Sequence, residues 1–359
     1  MNSFCTYKVL LNNIEKNLKT YKKIDGKSKI CAVVKANAYG LGVQNVVPKI
    51  ESLVDCFAVA NFQEATEVEK LTNKKIIILN FVPKDLIGAC AEKSFQISVS
   101  NFAQLLWLRK CLKNQKIDVH LAVDTGMHRI GFDNTFEFEK ALKYIKKHKN
   151  ISIVGIFSHI FNAKCQKDTQ KQNAVFQKYL QVLSKYFATK NITKHLLASE
   201  GAVRYHELRY DMVRLGILLY ANFDGKNFCD AVELKTKIIA IKNLEKGDSV
   251  GYCKKFVAKK KTKIGVVPIG YADGVLRCTM KKGYVLYKGK FCKIVGNVCM
   301  DMFAVDLTDI NAKIGDDITL IGKSKKSQIF VSDVAKWQNT ICYEVLTNIK
   351  QNRLNVITK

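Results

Sequence analysis

Lys35 is the first residue in this sequence whose position suggests chemistry. It ends the apolar run Ile30–Lys35, which has the composition of a buried strand. An unpaired ammonium group at the end of such a strand costs free energy. One interpretation is a lysine whose flexible side chain extends to water at the rim of the fold. The other is an amine whose pKa is lowered by burial, which would suit it to condense with a carbonyl group.

Further side chains that could take part in catalysis lie in or just after later apolar runs. They are Asp124 to Arg129, His159, Ser199 and Arg214. In a parallel barrel the carboxyl ends of the strands meet at one face, and active sites are built there. The spacing therefore predicts that these residues share one site with Lys35.

Eight short apolar runs alternate with segments of helical spacing in the first part of the chain. Their interiors are apolar at consecutive positions, as in strands that are covered on both faces. The runs are Ile30–Lys35, Cys56–Asn61, Lys75–Phe81, Phe95–Ser100, Val119–Asp124, Ile153–His159, Leu196–Ser199 and Val213–Leu219. This order predicts an α/β fold with an N-terminal eight-stranded parallel (β/α) barrel, and an open doubly wound sheet is the alternative.

The pattern changes after about Phe228, where short strands follow one another without long helices between them. A two-residue turn is expected at the tip of a hairpin, Tyr287–Lys290. We predict a barrel domain over 1–228 and a mainly β domain over 229–359, with one helix between Val331 and Thr347. The predicted strands are Val232–Lys242, Lys263–Ile269, Tyr284–Val295, Phe303–Leu307 and Asp317–Gly322.

The composition narrows the functional class. The formal charge is +28, but it comes mainly from lysines spread along the whole chain, which argues against nucleic acid as a partner. The twelve cysteines include no CxxC pair, so we expect a reducing, cytoplasmic location and no metal site. No apolar stretch has the roughly 20 residues that a membrane span needs, and no signal peptide is expected.

Six strings give the sequence its most specific signal. In this order along the chain they closely resemble the signatures of the alanine racemase family, which depends on pyridoxal 5'-phosphate. The strings are 34–42 (VKANAYGLG), 123–132 (VDTGMHRIGF), 213–217 (VRLGI), 251–252 (GY), 270–274 (GYADG) and 296–301 (GNVCMD). The resemblance implies a barrel followed by a β domain that a few N-terminal residues join. It also implies a head-to-tail homodimer.

The resemblance implies two catalytic bases. Lys35 would bind the cofactor as a Schiff base and exchange a proton at one face of the substrate α-carbon. Tyr252, supplied by the partner subunit, would act at the other face. A racemase needs proton exchange at both faces, so two opposed groups make chemical sense. From the residues alone, Tyr252 would be an ordinary core or turn tyrosine.

The resemblance also implies binding roles for other residues. Arg214 would face the pyridine nitrogen of the cofactor, and His159 would be hydrogen-bonded toward that arginine. The phosphate would be held by Tyr39, Ser199 and the backbone at Gly216 and Ile217. The substrate would contact Arg129, Met300, Tyr271 and Asp301.

Three positions depart from the family pattern. Ala122 stands where many members have a carbamylated lysine that braces the arginine corresponding to Arg129. Leu215 replaces a proline, which removes a fixed φ. A C-terminal tyrosine that reaches the phosphate is not evident in 353–359, where Thr358 is near the expected place.

The resemblance therefore predicts an enzyme that interconverts L- and D-alanine and supplies D-alanine for cell-wall synthesis. Two alternatives remain open at this point. One is a racemase of serine or another small amino acid. The other is a non-catalytic barrel protein that carries pyridoxal phosphate, although such proteins lack the second domain and its tyrosine.

Overall fold

The computed structural model describes residues 4–225 and 227–359. The chain divides into two compact units. The barrel unit comprises Leu18–Ala38 and Val46–Leu218, and the β unit comprises the described residues up to Asn17, Tyr39–Asn45 and those from Leu219 onward. The predicted division after residue 228 lies inside the β unit. Among the described residues, no helix is long and apolar enough to cross a membrane.

The helices and strands are numbered in chain order. The strands are β1 (Thr6–Val9), β2 (Lys29–Val33), β3 (Cys56–Val59), β4 (Ile76–Ile78), β5 (Gln96–Val99), β6 (Ile117–Ala122), β7 (Ile151–Phe157), β8 (Thr193–His195), β9 (Met212–Leu215), β10 (Val232–Lys237), β11 (Ala240–Leu244), β12 (Ser249–Val250), β13 (Phe256–Val257), β14 (Thr262–Val267), β15 (Tyr284–Tyr287), β16 (Lys290–Val295), β17 (Phe303–Asp306), β18 (Asp317–Ser324), β19 (Ser327–Ile329) and β20 (Asn355–Thr358). The helices are α1 (Leu11–Ile24), α2 (Lys35–Gly40), α3 (Val43–Ile50), α4 (Phe62–Glu69), α5 (Ile87–Glu92), α6 (Phe102–Leu112), α7 (Thr135–Lys146), α8 (Gln166–Ser184), α9 (Ser199–Arg204), α10 (Ile217–Tyr220), α11 (Val331–Gln338) and α12 (Cys342–Asn348).

The barrel unit contains eight parallel strands in the order β8-β7-β6-β5-β4-β3-β2-β9. The barrel closes between the two ends of this order, where Ala198 forms a parallel bridge with Arg214. The Arg214 N–H also donates to the Leu197 carbonyl at 3.1 Å. The predicted barrel is confirmed, and the open sheet is excluded. Short strands such as β3 and β4 are buried along their whole length, which explains their uninterrupted apolar sequences.

Several predicted strand limits differ from the structure. The predicted single strand Val232–Lys242 is wrong, because β10 ends at Lys237 and β11 begins at Ala240. Two further differences affect candidate site residues. β2 ends at Val33, so that Lys35 begins α2 instead of ending a strand. The predicted strand Leu196–Ser199 is wrong, because β8 covers Thr193–His195 and Ser199 begins α9. β8 is a short polar strand that pairs with β7. Its sequence has no apolar run that would indicate a buried strand.

The β unit is built on a 10-stranded sheet, in which nine strands follow the path β11-β14-β17-β16-β15-β18-β10-β1-β20 and β19 pairs with β18. The N-terminal strand β1 lies between β10, to which it is antiparallel, and the C-terminal β20, to which it is parallel. The predicted hairpin is confirmed, with Lys288 and Gly289 at positive φ of 46° and 87° between β15 and β16. The single predicted C-terminal helix is wrong, because left-handed Asn339 ends α11 before α12 begins.

The loop after β6 carries Arg129 and is folded around Asp124. Asp124 Oδ1 accepts hydrogen bonds from the N–H groups of Gly126 (2.7 Å) and His128 (3.1 Å). The Asp124 N–H donates to the Phe132 carbonyl at 2.8 Å, which returns the loop to the barrel. Gly131 makes this return possible, because a Cβ on Gly131 would lie 2.6 Å from the Asp124 nitrogen.

Replacing Gly131 with alanine tests this close approach, and Gly126 is the matched control. Both glycines have a φ of +127°, but a Cβ at Gly126 meets nothing closer than 3.8 Å. We expect Gly126→Ala to lower the free energy of unfolding by about 1 kcal/mol through backbone strain. Gly131→Ala should lower it by about 3 kcal/mol, since the backbone must also move. Equal losses in urea unfolding would contradict this account.

Candidate active site

Lys35 is presented by a short helix of unusual hand. Ala36 to Tyr39 all have φ between +52° and +57°, so the first turn of α2 is left-handed. The turn is closed by the Ala38 N–H, which donates to the Val34 carbonyl at 2.9 Å. Left-handed turns of residues other than glycine cost roughly 1–2 kcal/mol per residue. Such strain tends to cluster at functional sites, which supports a functional role for this segment.

Glu64, on α4, holds the backbone on which Lys35 is placed. Its two carboxylate oxygens accept hydrogen bonds from the N–H groups of Ala36 (2.8 Å) and Ala60 (2.7 Å). Burial and the positive charge of Arg129 lower the pKa of the half-buried Lys35 ammonium, and the charge of Glu64 opposes them. A larger fraction of the amine is therefore neutral near pH 7 than for an ordinary lysine, as a nucleophile or base requires.

Arg214 is a buried cation, with 4% of its surface exposed. Nη1 donates to His195 Nδ1 (2.9 Å) and to the His195 carbonyl (2.7 Å). Nη2 donates to the carbonyls of Ser158 (2.6 Å) and Leu196 (3.1 Å). A guanidinium has five N–H donors. In the described part of the chain, Nε–H is the donor for which no acceptor is found. Burial lowers the pKa of Arg214 to about 10, which leaves it charged at neutral pH.

The histidine hydrogen-bonded to Arg214 is His195, whereas the resemblance assigned that bond to His159. The His195 ring stacks on Phe157 with a centroid distance of 5.0 Å, which fixes its plane. His159 follows β7, and its carbonyl accepts a hydrogen bond from Gln172 Nε2 at 3.0 Å. Burial, assisted by the charges of Arg214, Arg129 and Lys35, lowers the pKa of His159 to about 3. Its imidazole is therefore neutral at physiological pH.

Arg129 lies exposed on its loop, and the described residues supply no ion-pair or hydrogen-bond partner for its guanidinium. Ala122, where the family pattern has a lysine, is buried at the end of β6 and carries no polar group. The positive charge of Arg129 nevertheless lowers the pKa values of Lys35, His159 and Arg214, so it interacts electrostatically with all three residues.

Ser199 begins α9 and organises the backbone after β9. Its Oγ accepts hydrogen bonds from the N–H groups of Gly216 (3.0 Å) and Leu218 (3.3 Å). Ile217 lies between these two residues as the first residue of α10. A hydroxyl that accepts two hydrogen bonds still has its own hydrogen to donate. Ser199 can therefore offer a donor to an anion, while Gly216 already donates to Ser199.

In the β unit, Tyr252 projects from a tightly turned backbone. Its side chain is 70% exposed. Gly251 before it and Cys253 after it have φ of +71° and +61°. The Tyr252 carbonyl accepts a hydrogen bond from Asn297 Nδ2 at 2.8 Å, which attaches the turn to the segment that carries Met300. The backbone is thus fixed while the phenol group is free.

Tyr271, Met300 and Asp301 also come together in the β unit. The Tyr271 N–H donates to the Cys299 carbonyl at 3.1 Å, and the next N–H donates to the Met300 carbonyl at 3.0 Å. Arg353 holds both segments, because its Nη2 donates to Asp301 (2.6 Å) and its Nε to Asp273 (2.8 Å). The carboxylate of Asp301 is therefore engaged in an ion pair. Arg353 was not singled out in the sequence.

Tyr39 is buried in the β unit between two other tyrosines. Its ring centroid lies 4.8 Å from that of Tyr220 and 5.7 Å from that of Tyr343. Burial and the neighbouring Tyr343 raise the pKa of the Tyr39 hydroxyl, so that it remains a hydrogen-bond donor. Tyr343 lies on α12, which precedes the segment 353–359 in which the sequence analysis expects a C-terminal tyrosine. Thr358, considered there, accepts a hydrogen bond from Asn45 at 3.3 Å.

The chemistry that these groups can perform follows from their charges. Arg129 repels both Lys35 and Arg214, and Glu64 is the carboxylate whose charge raises the pKa of Lys35. Such a cation cluster suits a ligand that is itself anionic. Within the barrel unit, Lys35 supplies a nucleophilic amine.

Comparisons with known proteins agree with this arrangement. The family model described as "Alanine racemase, N-terminal domain" matches residues 9–222, and "Alanine racemase, C-terminal domain" matches 231–357. "Alanine racemase 2" of Caldanaerobacter subterraneus subsp. tengcongensis is 33% identical over 96% of this chain and 92% of its own length.

Two solved structures extend the match to the fold. Alanine racemase from E. faecalis is 29% identical, with a TM-score of 0.90 over 99% of this chain and 98% of that one. Alanine racemase from Bartonella henselae, solved with covalently bound pyridoxal phosphate, is 27% identical, with a TM-score of 0.90 over 99% of both chains. The family models cover nearly all of the sequence, and the chain belongs to the alanine racemase family.

Proposed function

We propose that this protein is a pyridoxal phosphate-dependent alanine racemase that interconverts L- and D-alanine. The observation that carries the proposal is the half-buried Lys35 amine, whose pKa is lowered beside Arg129 in a chain of this family. The relative from Bartonella henselae, which has covalently bound pyridoxal phosphate, supports the choice of cofactor. The N- and C-terminal family models both match, which disfavours a single-domain carrier of the cofactor.

The described residues fit this cofactor by their donor chemistry. Arg214 Nε–H is a donor without an acceptor among the described residues, and a pyridine nitrogen is an acceptor. By the resemblance, the hydroxyl groups of Ser199 and Tyr39 would be donors for a phosphate. The backbone N–H of Ile217 would complete that group, whereas the Gly216 N–H, which the resemblance also assigned to the phosphate, already donates to Ser199. The cation cluster of Lys35, Arg129 and Arg214 would be neutralised by the anionic cofactor.

The cofactor, when bound, withdraws electrons from the substrate α-carbon and so acidifies its C–H bond. Lys35 Nζ would hold the cofactor, and it would hold or return a proton at one face of the substrate Cα. The hydroxyl of Tyr252 does the same at the opposite face. Inversion results when one group removes the proton and the other group delivers one.

Arg214 limits how far electrons are withdrawn. Because its pKa is about 10, it stays protonated at pH 7 and cannot take up the proton of a pyridinium ion. Its Nε–H would be available to a neutral ring nitrogen of the cofactor instead, which would disfavour side reactions such as transamination. His159 stays neutral beside it and adds no further positive charge.

The remaining residues orient a small substrate. Arg129 would steady the substrate carboxylate, since its guanidinium has no partner among the described residues. Met300 would offer a backbone donor, and Tyr271 with Asp301 would narrow the entrance. Ala122 leaves Arg129 without a brace, so the substrate itself completes its hydrogen bonding.

We further propose that the enzyme acts as a homodimer whose sites are composite. Tyr252 is exposed on the β unit, which is expected of a side chain that contacts the active site of another subunit. We also propose a cytoplasmic enzyme that supplies D-alanine for cell-wall synthesis. The twelve cysteines are all free thiols, which suits a reducing compartment.

The function is tested by assaying racemisation of L-alanine and L-serine with the enzyme loaded with pyridoxal phosphate. We expect kcat/KM for alanine to exceed that for serine by at least about tenfold, because a small pocket discriminates modestly against an added hydroxyl. Lys35→Ala should reduce racemisation by at least about a thousandfold. In the wild type, borohydride reduction should fix the cofactor to the peptide that contains Lys35. This labelled peptide should be absent from the variant.

The matched control is Lys29→Ala, at the exposed start of the same strand. It should leave both measurements unchanged. Racemisation by Lys35→Ala at the wild-type rate would refute the mechanism. A value of kcat/KM for serine equal to that for alanine would identify a broader small amino-acid racemase.

Tyr252→Phe tests the second base. The variant should bind the cofactor normally but racemise alanine about 10²–10⁴-fold more slowly, because one face of Cα has lost its proton carrier. In D₂O, Lys35 should still exchange the α-hydrogen of one enantiomer without inversion, while the other enantiomer does not exchange. Tyr284→Phe, on β15, is the control and should be silent. Undiminished racemisation by Tyr252→Phe would exclude the two-base scheme.

Mixing inactive subunits tests the composite site. In a dimer of one Lys35→Ala and one Tyr252→Phe subunit, one site would combine an intact Lys35 with an intact Tyr252. Random exchange makes half of the dimers mixed, so activity should return to about a quarter of the wild-type value. A mixture that stays inactive after verified subunit exchange would show that both bases come from one subunit.

A further inference from the structure

A chain of buried polar side chains crosses the interior of the barrel unit, starting from Arg214. His195 Nδ1 accepts from Arg214 Nη1, and His195 Nε2 lies 2.9 Å from His120 Nδ1. His120 Nε2 lies 3.0 Å from Gln96 Oε1. Both histidines are buried, with exposures of 2% or less. The proposed function assigns no role to His120 or Gln96.

The direction of every hydrogen bond in this chain is fixed by its first member. A guanidinium can only donate, so His195 Nδ1 must be an acceptor. In a neutral imidazole the other nitrogen then carries the hydrogen, and His195 Nε2–H donates to His120 Nδ1. By the same argument, His120 Nε2–H donates to Gln96 Oε1. Burial and the charge of Arg214 lower the pKa of His120 to about 3, which keeps this ring neutral.

The barrel makes room for the His120 ring at the expense of ordinary strand packing. Gly155 lies opposite His120 on β7, and a Cβ on Gly155 would lie 2.0 Å from His120 Nδ1. The β6–β7 pairing also shifts its register between Val119 and His120. A glycine inside a strand weakens it and often marks the close approach of another group. Here the approaching group is the imidazole of His120, at a core position where an apolar side chain could stand instead.

The far end of the chain reaches a cavity of about 330 Å³ at the amino ends of the barrel strands. Gln96 and His120 line this cavity together with Lys29, Asp55 and Thr193. Gln96 is half-buried, so water can satisfy its amide group there. The hydrogen-bond chain therefore ends in solvent, and the ring N–H groups of His195 and His120 both have acceptors along it.

We propose that His120 is a positioning residue for Arg214. It accepts the Nε2–H of His195 and thereby holds the His195 ring with Nδ1 toward the guanidinium. In this arrangement both hydrogens of Arg214 Nη1 are donated to His195. Arg214 Nε–H then remains as the donor for the ring nitrogen of the cofactor. The inference rests on the proposed function, because it needs Arg214 to face that nitrogen.

The experiment compares His120→Leu with His120→Asn, two side chains that have the same number of heavy atoms and branch at Cγ. Asparagine can place Oδ1 where Nδ1 was and so keep an acceptor for His195, whereas leucine cannot. With His120→Leu we expect kcat for alanine to fall about tenfold while KM changes by less than about twofold, since a misplaced donor acts on the reacting state. The dissociation constant of pyridoxal phosphate, titrated by absorbance, should rise about tenfold. His120→Asn should restore both values to near the wild type.

A spectroscopic measurement on the wild type needs no variant to fold. Nitrogen-15 NMR of the apoprotein should show His195 and His120 as neutral Nε2–H tautomers with slowly exchanging hydrogens. An Nδ1–H tautomer or a charged ring at His195 would overturn the proposal. So would a His120→Leu variant with unchanged kcat and cofactor affinity. Failure of the wild type to bind pyridoxal phosphate or racemise alanine would instead refute the proposed function.

Discussion

A buried guanidinium needs acceptors for its N–H groups, and the barrel unit is arranged to give Arg214 all but one of them. No carboxylate is used for this purpose, because every acceptor is a carbonyl or a neutral imidazole. The positive charge therefore stays uncompensated inside the unit. His195, which ends the short polar strand β8, supplies two of these acceptors, and its ring is held against Phe157.

Much of the fold could be predicted from the sequence, because strands that are buried on both faces are apolar along their length. The same reasoning failed at β8, where Thr193 and Lys194 are not apolar and the strand is recognised only by its pairing with β7. Lys35 was predictable as a chemical group because a charge beside a buried strand is conspicuous. The left-handed turn on which it lies was not predictable, since alanine and asparagine gave no sign of positive φ.

The missed residues of the candidate site share a physical reason. His195, Tyr343 and Arg353 act through contacts with residues far away in sequence, and no local pattern distinguishes them. His159 follows β7, a strand that its apolar sequence makes recognisable. His195 ends β8, whose polar sequence does not indicate a strand. Arg353 looks like a surface charge until Asp273 and Asp301 are seen on either side of it. Pairings of this kind are determined by topology.

The uncompensated cations also connect cofactor binding to the reactivity of Lys35. In the chain alone, burial and the charge of Arg129 lower the pKa of the Lys35 ammonium, which favours the neutral amine that attacks a carbonyl. An anionic cofactor would remove part of this repulsion, so the electrostatic effect that prepares the amine would also attract the molecule that it must bind. The bound anion would in turn raise the pKa of Lys35, and this would favour a lysine that can return a proton to carbon.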